Sequence, residues 1–226
     1  MTISIDPAEE EQALLAPIVA SRDNVRALPQ GLRIWTTTDH TNTADLRERV
    51  LGWKTNTIDL DRSPDTIHIV MTADLKPQPE AFGIEKVMRD NAFNYSFNNE
   101  TEETAAQYVQ QKNAEVVAVL SVGRQNFPEP KDLSGFMRAR VINKSVSTAR
   151  FYALAVSADH QHRGFNLRLM NEAFYLCRQQ GIELLWANAR ENALRFYTKS
   201  LSFSEVGDWF LDANTEMMDK RIVQWL

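Results

Sequence analysis

The spacing most able to do chemistry lies between Phe151 and Leu167, which read Phe-Tyr-Ala-Leu-Ala-Val-Ser-Ala-Asp-His-Gln-His-Arg-Gly-Phe-Asn-Leu. An apolar run, Phe151–Val156, enters a short polar turn, and the turn opens directly into an amphipathic stretch. The first backbone N–H groups of a helix have no intrahelical acceptor, and the dipole there is positive. Such a corner holds anions, phosphate above all. His162, Arg163 and Arg168 add donors and charge, while Gly164 removes a side chain where a ligand approaches the backbone. A plain capped turn between strand and helix has the same pattern, and spacing alone does not separate the two.

The other reactive residue types are sparse. Cys177 falls on the apolar face of its predicted helix and reads as core. His68 sits in an apolar strand and reads as a buried, hydrogen-bonded histidine, while His160 and His162 flank the polar turn as phosphate contacts or solvated turn residues. Arg47 and Arg49 read as a solvated helix face. One cysteine in the whole chain excludes an internal disulfide and a cysteine-rich zinc site, and no metal site is expected.

The elements that must position these residues follow from periodicity. Leu32–Thr38, Thr66–Leu75, Glu115–Arg124, Thr148–Val156 and Ile182–Asn188 read as strands, with two more inside Phe203–Phe210 and Met217–Trp225. Thr43 caps a short helix carrying Leu46, Val50 and Leu51 on one face and closed by Gly52. Another helix starts near Glu100, with an Asn99/Glu102 capping pair. Gly164–Gln180 carries Leu167, Met170, Phe174 and Cys177 at helical spacing and ends at Gly181, and Ala189–Leu201 is a further helix. Residues 1–30, with Asp6-Pro7 as a helix start and a break at Pro17, form an N-terminal helical appendage; residues 31–226 form the main domain. Interleaved strands and helices predict a mixed α/β (α+β) architecture.

Composition narrows the function classes. Of 226 residues, 43% are apolar and 24% charged, the proportions of a globular protein. The formal charge of −5 gives no basic stripe for nucleic acid, so no nucleic-acid partner is expected. The longest apolar run is too short to span a bilayer, and Met1–Glu11 lacks a targeting pattern, so a cytoplasmic protein with no membrane partner is expected. Glycine numbers only 8, about half its usual share of roughly 7%. No two are close enough to make a glycine-rich nucleotide loop.

The corner segment resembles the acetyl-CoA-binding region of the GNAT superfamily of N-acetyltransferases, where a strand precedes Gln/Arg-x-x-Gly-x-Gly/Ala at a helix start. Gln161-His162-Arg163-Gly164-Phe165-Asn166 matches at the first and fourth positions. Asn188-Ala189-Arg190-Glu191-Asn192-Ala193-Leu194-Arg195-Phe196-Tyr197-Thr198-Lys199-Ser200-Leu201-Ser202-Phe203 resembles the family's second block. Three departures stand out: Asn166 where the family has Gly or Ala, Ser202 where it has Gly, and one extra residue between Tyr197 and Ser202.

The resemblance implies a strongly twisted mixed sheet with helices on both faces. It implies acetyl-CoA or another acyl-CoA as co-substrate, its pantetheine arm paired with the backbone of Leu154, Ala155 and Val156 by β-augmentation. Its pyrophosphate is expected on Gln161, His162, Arg163, Gly164, Phe165, Asn166 and Leu167, with Asn192 as a further cofactor contact. A backbone N–H at or just before Val156 would polarise the thioester carbonyl. Tyr197 matches the family tyrosine that protonates the leaving thiolate. The base is open among Glu115, Tyr152 and Asn188. The acceptor is a small-molecule or peptide amine, with Trp53–Asp65 and Lys76–Asn99 as the variable regions that shape its site, and a homodimer is open. A catalytically silent acyl-CoA-binding or regulatory protein on the same fold is the alternative reading, motivated by Asn166 and Ser202; a family member using a longer acyl chain is another.

Overall fold

The computed structural model of the chain describes residues 32–37, 41–52, 59–74, 114–212 and 216–226. The expected appendage over 1–30, the helix near Glu100 and the Lys76–Asn99 stretch lie outside them. The elements are β1 (Leu32–Thr37), α1 (Thr41–Leu51), β2 (Ile67–Asp74), β3 (Ala114–Arg124), α2 (Gly135–Ile142), β4 (Thr148–Val156), α3 (Phe165–Gln179), β5 (Leu184–Arg190), α4 (Glu191–Arg195), β6 (Ser204–Asp212) and β7 (Met217–Trp225). The strands form a mixed seven-stranded sheet in the order β1-β2-β3-β4-β5-β7-β6. The described residues divide into two compact units, one holding residues up to Gly123 with Ala153–Ala173, the other Arg124–Tyr152 with Phe174–Leu226.

In the first unit β1 and β3 each pair antiparallel with β2. Leu46, Val70, Val119 and Ala155 make its core, flanked by Trp35, Val50, Leu51 and Val116. Helix α1 closes at Gly52, whose φ of +65° and N–H bond to the Glu48 carbonyl (3.0 Å) are those of a left-handed cap. Arg47 corrects the sequence expectation. It is fully buried, whereas Arg49 is exposed. The reason is spacing: Arg47 precedes Val50 by three and Leu51 by four residues, so it shares their inward face.

In the second unit β4 runs parallel to β5 over Thr148–Arg150 opposite Leu184–Trp186. Strand β7 pairs antiparallel with both β5 and β6. Phe127, Leu133, Val146, Leu184, Trp186 and Val223 pack together under Met137 and Val141 of α2. A second apolar group joins Phe151 to Tyr197 and Phe203 at ring distances of 5.3 and 5.4 Å. Two expectations need correction here. Strand β5 begins two residues later than expected and runs on to Arg190, because its outer half is held by β7. The helix expected over Ala189–Leu201 is α4 followed by a π-helical turn, Phe196–Ser200. Helix α2 has no signature in the sequence, since eight residues opening on a glycine carry too little periodicity to declare themselves.

Candidate active site

The strand–turn–helix corner lies wholly within the first unit from Ala153 onward. Ala153 has φ +56°, a left-handed conformation that a non-glycine residue adopts only under strain. Leu154, Ala155 and Val156 follow it and lie beyond the three residues through which β4 pairs with β5. Ser157 N–H then donates to Val117 O on β3 at 2.8 Å, fixing the end of the strand.

The turn builds itself locally. His160 N–H donates to Ser157 O (2.9 Å), Ser157 Oγ and His160 Nδ1 lie 2.9 Å apart, and Gln161 Nε2 donates to Val156 O (3.2 Å). His160 stacks on Phe165, which is buried and pins the first turn of α3. His160 thus has a structural place in the turn. His162 (φ +60°), Arg163, Gly164 (φ +78°) and Asn166 are exposed around the helix start. The first helical bond runs from Arg168 N–H to Gly164 O (3.2 Å), so the N–H groups of Phe165, Asn166 and Leu167 precede it. A Cβ built on Gly164 meets nothing within 4 Å, so the space beside that backbone is open. The corner therefore brings together every residue expected to hold the cofactor except Asn192, and its donors suit a pyrophosphate.

Asn192 and Tyr197 belong to the other unit. Asn192 is exposed in the first turn of α4. Tyr197 is buried among Phe151, Phe196 and Phe203, and burial pushes its phenol well above the ordinary value. The extra residue that the sequence carries after Tyr197 is absorbed by the π-helical turn. Of the base candidates, Tyr152 is buried, whereas Asn188 is partly buried and its Oδ1 has no hydrogen-bond partner among the described residues.

Sequence reasoning missed a buried polar cluster in the first unit. Arg47 Nη1 donates to Asp61 Oδ2 (2.9 Å), and its Nη2 meets both Ser121 Oγ and His68 Nδ1 (3.2 Å); Ser121 Oγ lies 2.7 Å from His68 Nδ1. Serine, histidine and aspartate suggest a nucleophile triad, but the geometry refuses it. Both Ser121 and Asp61 (4.0 Å) approach the same ring nitrogen, whereas a relay needs one on each. All four side chains are also sealed from solvent. His68 is buried as its strand predicted and is hydrogen-bonded through Nδ1, and Cys177 is buried core, its thiol pushed up to about 12 by burial.

Residues 84–203, more than half of the chain, match the acetyltransferase (GNAT) family. The chain belongs to that family. Its fold is similar to NAA60 of Arabidopsis thaliana in complex with acetyl-CoA, with a TM-score of 0.55 at 10% identity over 86% of this chain and 97% of that one. It is similar to an acyl-CoA N-acyltransferase from Pseudomonas aeruginosa, at 0.51 and 11% over 85% and 99%. It is also similar to FeeM, an N-acyl amino acid synthase from uncultured soil microbes, at 0.50 and 12% over 86% and 91%. At these identities the likeness is one of fold. No curated protein matches the sequence. Among the described residues, no helix of this GNAT chain is long and apolar enough to cross a membrane.

Proposed function

We propose that this GNAT protein transfers an acetyl or other short acyl group from CoA to an amine. The observation that carries the reading is the corner at Gly164: a helix start with unspent N–H groups, an open left-handed glycine, and β4 residues beyond the β4–β5 ladder leading into it. Leu154, Ala155 and Val156 supply backbone to an extended pantetheine arm. The amides from Gln161 to Leu167 receive the pyrophosphate. A GNAT neighbour of this fold binds acetyl-CoA, which supports the same co-substrate here.

The chemistry requires a neutral amine. An alkylammonium, with a pKa of about 10, gives a proton to water, and its nitrogen attacks the thioester carbonyl. A C–N bond forms, the C–S bond breaks, and the pair of electrons leaves on the thiolate of CoA. By the resemblance, Tyr197 is the group assigned to give that thiolate a proton, and the second proton, shed by the attacking nitrogen as it becomes an amide, restores the phenol.

Thermal shift with CoA, acetyl-CoA and longer acyl-CoAs tests the reading. A ligand at 100 times its Kd stabilises the native state by about 2.7 kcal/mol. Acetyl-CoA should raise the Tm, and amines should then release free thiol. No shift with any thioester overturns acyl transfer; a shift without thiol release from any amine reduces the protein to an acyl-CoA binder.

A further inference from the structure

Among the described residues, the large apolar side chains that stand exposed are few and they are not scattered. Leu167 belongs to the cofactor corner; the other six lie in the second unit, in two groups. Phe136 and Ile142 are on α2, each 58% exposed. Trp209, Leu211, Met217 and Met218 are at the turn end of the β6–β7 hairpin, with Leu211 at 64%. Apolar side chains gathered in this way on a surface mark a place where something docks.

The two groups are framed by opposite charges. On the hairpin, Leu211 stands directly opposite Met218, and Trp209 lies under Lys220, two residues along β7 on the same face. Lys220 spends its ammonium on the Gly207 carbonyl (2.6 Å). Glu205, Asp208 and Glu216 are exposed and make no ion pair among the described residues. On α2, Met137 and Val141 face the core, which turns Phe136, Ala139 and Ile142, spaced by three, outward. Arg138 is exposed beside that stripe, held by the carbonyls of Lys131 and Leu133 rather than by a carboxylate, and Lys144 is exposed just past the helix end. The acids nearby are already engaged: Asp132 with Arg221, Glu183 with Arg140, and Glu129 with Lys131.

Charge decides what covers the hairpin end. An anionic lipid surface repels a tip that carries Asp208 and Glu216. The same hairpin of a second copy sets acid against acid, and like charges brought together at an interface cost affinity. The α2 stripe supplies both things the hairpin lacks, an apolar face and uncompensated cations. We propose that the partner is a second copy of this chain, the hairpin end of each copy seated on the α2 stripe of the other. A two-fold axis makes that contact twice, which closes the pair and covers all four patches. Leu211, Met218 and Trp209 then lose water against Phe136, Ala139 and Ile142, and the acids of the hairpin face Arg138 and Lys144 at the rim. The pairing stands apart from acyl transfer, since no residue in it belongs to the cofactor corner or touches Tyr197.

Sedimentation equilibrium of the full chain, over a range of concentration and salt, tests this. The mass should level off at two copies, and salt should weaken the pair. One variant reverses the hairpin, Asp208→Lys with Glu216→Lys; a second reverses the helix, Ala139→Glu with Lys144→Glu. All four positions are exposed, so each variant should melt in urea like the parent chain. Either variant alone should raise the dissociation constant about tenfold or more. An equimolar mixture of the two should pair again, because the reversed hairpin then meets the reversed helix while the other contact keeps its native residues. That recovery separates a broken contact from a misfolded chain. A monomer at the highest soluble concentration overturns the pair, and so does a mass that grows past two copies. Variants that dimerise like the parent, or a mixture that stays monomeric, overturn the hairpin-on-helix contact.

Discussion

The backbone N–H of Phe203 donates to the carbonyl of Tyr197 at 3.1 Å, six residues back along the chain. That bond closes the π-helical turn and leaves Ser202 at φ +57° as the link between them. A left-handed residue with a Cβ carries about 1–2 kcal/mol of strain, while glycine in its place loses roughly 0.5–1 kcal/mol of chain entropy. Ser202→Gly is therefore expected to stabilise the protein by about 0.5–1 kcal/mol, read from urea melts. A loss of stability would show that the turn is not strained at this residue.

Tyr197 is held by three aromatic rings, so Tyr197→Phe removes the hydroxyl and keeps the packing. If the phenol protonates the leaving thiolate, kcat should fall about 10²-fold while the Kd for CoA stays unchanged. Steady-state thiol release with a CoA-binding control decides it. A change of less than threefold assigns Tyr197 to the core alone.

The strands were legible because their side chains alternate or run apolar; β4 begins and ends where its sequence does, and Gly181 marks the end of α3 by its left-handed φ. The corner at Gly164 was legible for the same reason, being local. What the sequence hid is what depends on distant partners. Arg47 looks like surface until Asp61, His68 and Ser121 are placed around it. Asp219 looks like surface too, and only its place on β7 opposite Arg190 of β5 shows it buried in the sheet. The extra residue after Tyr197 announced a change of geometry without naming it as a π turn.

Gly164 and Gly52 form a natural control pair. Both have positive φ, and at both an added Cβ meets nothing within 4 Å. Alanine at either position should cost about 1–2 kcal/mol of stability through backbone strain alone. Only Gly164→Ala should also weaken acetyl-CoA binding, by about tenfold or more, because only that backbone faces the cofactor in the proposed site. Equal CoA affinity in the two variants would remove Gly164 from the phosphate site.

Cys177 gives a pH prediction with a fixed sign. Its folded thiol is raised from an ordinary 9.0 to about 12 by burial. Between those values the folded state holds a proton that the unfolded state has lost, so stability falls as pH rises. The contribution is whole below pH 9 and disappears towards 12. Cys177→Ala should flatten the alkaline limb of a stability–pH curve, and the native thiol should resist Ellman's reagent until the protein unfolds.

The Arg47–Asp61 pair should behave as one unit. Both side chains are wholly buried, and the 2.9 Å bond leaves each as the other's counter-ion. Removing either one strands a charge in the interior, which costs about 3–5 kcal/mol. Removing both strands no charge between them. Asp61→Ala and Arg47→Ala should each cost about that much, and the double variant well under the sum, with a coupling of up to about 3 kcal/mol. Arg47 also serves Ser121 and His68, so its single variant should be the worse of the two. A double-mutant cycle from denaturant melts measures this directly, and additive losses would mean that the pair is not coupled despite its burial.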